Sequence, residues 1–169
     1  MLLAGMNHVA VLTKDTERLH AFYRDVFDAP VFHDQVNSDV RLSFVQVGPS
    51  TMLNVFEIVG NIKADCQTPM FGRGRLDHLG LEAVSQAAFD TIRARLLARG
   101  ATDGFVTDFG IALSLFFRDP DGLEGEVCLH NPAATPADLK PPAPRRPAMT
   151  GPTEARLRLS RSNGEITYG

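Results

Sequence analysis

Apolar and polar positions alternate along this chain with two periods, and the two periods take turns. From Met6, the run Met-Asn-His-Val-Ala-Val-Leu-Thr has strand composition, and Asp15 or Thr16 then supplies a helix-start acceptor. Leu19, Phe22, Tyr23, Val26 and Phe27 recur at spacings of three and four, which puts them on one helical stripe that Pro30 ends. Three strand-like runs follow, at 31–36, 41–47 and 52–59, separated by Asn37-Ser38-Asp39 and Gly48-Pro49-Ser50 as turns.

The same order then returns. A strand is predicted over 76–83, followed by a helix capped by Ser85 with apolar positions Ala88, Ile92, Leu96 and Leu97 running to Gly100. Strands at 105–108, 111–117 and 123–130 complete the second copy, with Asp119-Pro120-Asp121-Gly122 as a turn between the last two. The pattern predicts an α+β fold of two βαβββ modules, residues 1–60 and 76–131, joined by a linker over 61–75. The copies also agree at a polar position, because Asn7-His8-Val9-Ala10-Val11 matches Asp77-His78-Leu79-Gly80-Leu81. A pseudo-twofold relation would bring one histidine from each module to a shared cleft.

Residues 132–169 differ in kind. They hold seven of the eleven prolines, a density that favours extended, partly disordered chain, although Arg156-Leu157-Arg158-Leu159 alternates like an edge strand. Charge divides at the same place: residues 1–131 carry 11 Lys/Arg and 17 Asp/Glu, net −6, against 6 and 3, net +3, in the tail. An acidic main body argues against a nucleic-acid platform. Apolar runs are too short to span a bilayer and residues 1–6 are too short for a signal peptide, so a cytoplasmic protein with no membrane partner is expected. Cys66 and Cys128 form no C-x-x-C pair, and no disulfide is expected.

On the last strand Glu124, Glu126, Cys128 and His130 share one face. Two neutral imidazoles and one carboxylate, His8, His78 and Glu126, are a donor set suited to a first-row divalent ion. With positions left open on one side, it matches the facial set of non-haem Fe(II) enzymes. His20, between Arg18 and Arg24 on the helix, reads as solvent-exposed, and Glu124 as a rim carboxylate. Arg73 and Arg75 in the linker are candidates to pair with a substrate carboxylate. Phe44, Phe56, Phe116 and Phe117 read as core or cup wall, which favours a substrate with an aromatic or apolar body.

These motifs, His8-x-Ala-Val, Ala21-Phe-Tyr-Arg-Asp-Val-Phe27, Asp77-His-Leu-Gly-Leu81 and Phe117-Arg-Asp-Pro-Asp-Gly122 with Glu126, resemble the vicinal oxygen chelate superfamily over residues 6–131. That superfamily includes glyoxalase I, extradiol dioxygenases, methylmalonyl-CoA epimerase, fosfomycin-resistance enzymes and bleomycin-binding proteins. The resemblance implies a metal-binding cup between the modules, a homodimer, and ligand positions at His8, His78 and Glu126. A fourth-strand cup position falls on Asn54 by motif or on Phe56 by spacing, and neither is a carboxylate. Glu57 should face the opposite way. A two-histidine, one-carboxylate set is similar to that of extradiol dioxygenases and favours Fe(II) and ring cleavage, with His130, His33 or Tyr23 as acid–base candidates. Glyoxalase-type lyase or isomerase chemistry with Zn, Mn, Ni or Co, and a metal-free antibiotic-binding protein, are the alternatives the resemblance leaves open.

Overall fold

The computed structural model describes residues 1–2, 4–68, 72 and 76–141. The expectations for Arg73, Arg75 and the tail from 142 on lie outside them.

The first module runs β1 (His8–Thr13), α1 (Thr16–Phe27), β2 (Val31–Val36), β3 (Val40–Gln46) and β4 (Met52–Ile58). The second runs β5 (Leu79–Glu82), α2 (Gln86–Ala98), β6 (Val106–Asp108), β7 (Ala112–Arg118) and β8 (Glu124–His130), and a short 3₁₀ turn at Pro136–Asp138 follows. Each helix begins where the sequence places an acceptor: Asp15 accepts from Arg18 N at 3.0 Å and Ser85 from Ala88 N at 3.1 Å. Each module is one four-stranded sheet, ordered β1-β4-β3-β2 and β5-β8-β7-β6. The repeat read from the sequence is therefore present strand for strand, with each first strand lying parallel to its module's last.

β5 is shorter than the predicted 76–83, because its ladder to β8 runs only from Leu79 to Glu82. The stripe of α2 also differs: Phe89 and Leu96 are buried and Leu97 is exposed. Phe89, Ile92 and Leu96 keep helical spacing, and Leu97 lies one residue round the helix from them.

One apolar core lies on the helix side of both sheets. Leu19, Phe22, Tyr23 and Val26 of α1 join Leu53 and Val55 of β4, Leu115 and Phe117 of β7, and Val127 of β8. Phe117 joins the modules directly, with its ring 6.2 Å from Phe22 and 5.3 Å from Phe27. Gly125 makes room for it, since a Cβ there would come within 2.4 Å of that ring. His20 is a correction to the exposed position expected of it. It is 5 % exposed, points into the core side of the first sheet, and its Nε2 lies 2.7 Å from Ser43 Oγ.

The β7–β8 turn clasps the first module. Asp121 accepts from Thr13 Oγ1 at 2.5 Å, from Arg18 Nη2 at 2.6 Å and from Lys14 N at 3.3 Å. No helix of the described residues is long and apolar enough to cross a membrane.

Candidate metal centre

Alternation along the strands leaves each sheet with one face turned from the helices. On the second sheet that face carries Gly80, Glu82, Ser114, Phe116, Glu126 and Cys128, tied by the rungs Gly80–Glu126, Glu82–Cys128, Ser114–Cys128 and Phe116–Glu126. His78 precedes β5 by one residue. Its Nδ1–H donates to Asp77 Oδ2 at 2.7 Å, and its Nε2 lies 3.3 Å from Glu126 Oε2.

That pair tests whether a metal fits. With Nδ1–H turned to Asp77, Nε2 and Glu126 Oε2 face each other, and a cation between them, a proton or a metal ion, would satisfy both. Two donors each about 2.0–2.2 Å from one ion lie about 3–3.5 Å apart. The His78–Glu126 separation matches, and the Asp77 carboxylate on the far nitrogen is the usual support of a metal-ligating histidine. The other oxygen of Glu126 accepts from Ser114 Oγ. Burial, and then the Glu126 charge, push the Cys128 thiol up to about 12, so it stays protonated beside that carboxylate.

On the first sheet His8 repeats half of this arrangement. It is exposed at the start of β1, and its Nδ1–H donates to Asn7 Oδ1 at 2.8 Å. Asn54 stands beside Ala10 as Glu126 stands beside Gly80, so the ladders make Asn54, and not Phe56, the counterpart of Glu126. The Asn54 Oδ1 is buried and has no hydrogen-bond partner, which is the state of an atom awaiting a donor. Leu42, Phe44 and Phe56 surround it on the same face. Glu57 points the other way and accepts from Thr16 N at 2.8 Å, at the start of α1.

Among the described residues, no group of three His, Cys, Asp or Glu side chains is close enough to hold a metal ion. His78 and Glu126 meet within the chain, and His8 does not join them. Tyr23 is 2 % exposed; burial, then Asp119 and Asp121, push its hydroxyl well above its ordinary range. It packs in the core on the helix side, away from the faces that carry the histidines. His130 is exposed, and its backbone N–H is held by Glu82 Oε1 at 2.7 Å. Four residues along a strand put it about 13 Å from Glu126, out of reach of the His78–Glu126 pair. His33 stacks on Phe44 at 4.8 Å. Glu124 is 2 % exposed, not a rim group, and holds Arg118 Nη2 at 2.8 Å. Of the four phenylalanines, Phe44, Phe56 and Phe116 line the two faces and Phe117 is core.

The sequence reading missed Ser114 as part of this constellation. Its signal was a serine inside an apolar strand, on the parity that faces Glu126.

The model of the Glyoxalase/Bleomycin resistance protein/Dioxygenase superfamily matches residues 5–127. No curated protein matches the chain. Among solved structures, a glyoxylase/bleomycin resistance protein/dioxygenase domain from Frankia sp. EAN1pec is 22 % identical, with a TM-score of 0.64, and the match covers 76 % of this chain and 99 % of that one. The fosfomycin resistance protein FosX from Listeria monocytogenes, complexed with Mn(II) and sulfate, is 16 % identical over 81 % of this chain and 98 % of its own, with a TM-score of 0.54. A lactoylglutathione lyase from Agrobacterium tumefaciens is 24 % identical over 75 % and 94 %, again with a TM-score of 0.54. At these identities the likeness is one of fold.

Proposed function

Because the chain belongs to the glyoxalase/bleomycin resistance protein/dioxygenase superfamily, we propose that it is a metal-dependent enzyme that cleaves a small vicinal-diol aromatic by extradiol-type oxygen chemistry. The observation that carries the metal is the pair of facing acceptors, His78 Nε2 and Glu126 Oε2, at 3.3 Å. His8 supplies the third donor. Since it does not join the other two within one chain, the site closes in a homodimer, with His8 from one copy and His78 and Glu126 from the other.

Bound there, Fe(II) supplies Lewis acidity and one-electron chemistry toward a catechol and dioxygen. The chain's own groups do the rest. Asp77 and Asn7 orient the two imidazoles, while Leu42, Phe44 and Phe56 offer an apolar wall to the ring of the substrate. Asn54 stands among them, its Oδ1 buried and without a partner. Asn54 also favours this reaction over glyoxalase-type proton transfer: as an amide it cannot serve as a second carboxylate base, and Glu57 is committed to the helix start.

Elemental analysis of protein purified anaerobically without a histidine tag tests the reading. About one iron per two-histidine, one-carboxylate site is expected, with oxygen uptake on a catechol panel. Zinc, nickel, cobalt or manganese without oxygen uptake moves the reaction to a lyase or isomerase. No metal, and none taken up on reconstitution, makes the chain a metal-free binding protein.

A further inference from the structure

We propose that Ser114 is a positioning residue that fixes Glu126 as a one-oxygen ligand, holding Oε1 aside while Oε2 faces His78. The inference rests on the metal reading above and deepens it. Ser114 lies in the middle of β7 and is 1 % exposed, with its Oγ donating to Glu126 Oε1. Serine is a weak strand former, and a buried hydroxyl costs free energy unless it is paired. Its presence therefore calls for a reason at this position.

The first module supplies the control. There the ladders set Leu42 opposite Phe56 and Phe44 opposite Asn54, as they set Ser114 opposite Cys128 and Phe116 opposite Glu126. Leu42 is thus the counterpart of Ser114, and an uncharged amide is the counterpart of the carboxylate. A hydroxyl stands where a carboxylate has to be held, and a leucine stands where none does. Once Oε1 is engaged, Glu126 takes one coordination position instead of two, which leaves one more open to substrate oxygen.

The test uses the metal-free full chain, titrated with Co(II) without any assay of turnover. Ser114→Ala is expected to bind Co(II) about 10–100-fold more weakly. Its visible Co(II) absorption should fall in intensity as the released oxygen raises the coordination number. Ser114→Thr, which keeps the hydroxyl, should restore both, and the metal-free protein should keep a cooperative urea transition in all three, with Ser114→Thr at the wild-type midpoint. Wild-type affinity and spectrum in Ser114→Ala would overturn this inference and leave the metal site standing. A collapse of the metal-free fold in Ser114→Ala that Ser114→Thr does not restore overturns it as well, since Ser114 is then a packing residue. Failure of the wild-type chain to bind Co(II) removes the metal reading and this inference together.

Discussion

The two modules share one backbone plan and divide the chemistry unequally between them. Set in register, the open face of the first sheet carries Leu12, Leu42, Asn54 and Phe56 where the second carries Glu82, Ser114, Glu126 and Cys128. The histidines with their supports, Asn7–His8 and Asp77–His78, are kept in both, as is the phenylalanine beside the fourth-strand position, Phe44 and Phe116. On the helix side the contrast reverses. The first module buries a polar pair, His20 and Ser43, where the second has Asp90 turned to solvent and the fully buried Leu115. A duplicated fold can thus give one copy the task of holding charge and the other the task of holding an apolar body, at the same strand positions. Neither module carries all three donors, and among the described residues His8 does not join His78 and Glu126 within the chain.

The division is broken most completely by separating its parts. His8→Ala and Glu126→Ala are each expected to lose the bound metal. If the donors come from two copies, unfolding the two variants together and refolding them as a mixture restores some intact sites. Random pairing makes half the dimers mixed, each with one complete site, so about a quarter of the wild-type metal per chain returns. Metal content that stays at zero after mixing, with mixed dimers demonstrated, would place His8 with a ligand set in its own chain.

How much of this was legible beforehand follows from which interactions are local. Strand parity and helix stripes gave both modules, and the matched Asn7–His8 and Asp77–His78 pairs gave the histidines, because each depends on residues close in sequence. Asn54 was ambiguous against Phe56, since counting along the chain cannot fix a ladder register; the Ala10–Asn54 and Gly80–Glu126 rungs do. His20 was misread because its partner, Ser43, lies on another strand and leaves no mark on the helix itself. Glu124 was misread for the same reason, its Arg118 being the rung partner across the β7–β8 hairpin.

A second contrast concerns the turns that close each module. Asp119-Pro120-Asp121-Gly122 has Val47-Gly48-Pro49-Ser50 as its counterpart, and both close the same way, Asp119 N bonding to Leu123 O and Val47 N to Thr51 O, each at 3.0 Å. Asp121 is clasped by Thr13, Lys14 and Arg18. At the opposite junction the counterparts are Pro49, Ala83, Val84 and Ala88, and there Gly48, Ala83, Val84 and Ala88 border an open, largely apolar cavity of about 540 Å³. Asp121→Ala should therefore destabilise the chain by about 1–2 kcal/mol, since it removes the buried bonds from Thr13 Oγ1 and Lys14 N, leaving the Thr13 hydroxyl its Asp15 partners alone, while the half-exposed Arg18 regains water. Pro49→Ala should stay within about 0.5 kcal/mol. Equal effects in urea denaturation would mean that the clasp does not distinguish the two junctions.

The smallest expected effect is in pH, where the modules pull in opposite directions. Asp119 is raised to about 7, chiefly by burial, despite accepting from Leu123 N and Asp121 N. Between about pH 4 and 7 the unfolded chain has released this proton and the folded chain keeps it. The unfolded state then binds fewer protons, and stability falls as pH rises. His20 is lowered below 6.5, first by burial, with the nearby carboxylates of Asp34 and Glu17 opposing and the cations of Arg41 and Arg24 assisting. Below pH 6.5 the unfolded chain protonates this histidine before the folded one does, so its contribution is present above that pH and is lost on acidification. The two slopes oppose each other, so the wild-type chain should change less between about pH 5 and 7.5 than the Asp119 titration alone would make it. Removing one should expose the other: Asp119→Asn should make the protein more acid-sensitive, and His20→Gln should make it more stable at pH 5 than at pH 7.5. Urea denaturation of the metal-free protein at the two pH values reads both signs, and slopes unchanged in either variant would locate the titration elsewhere in the chain.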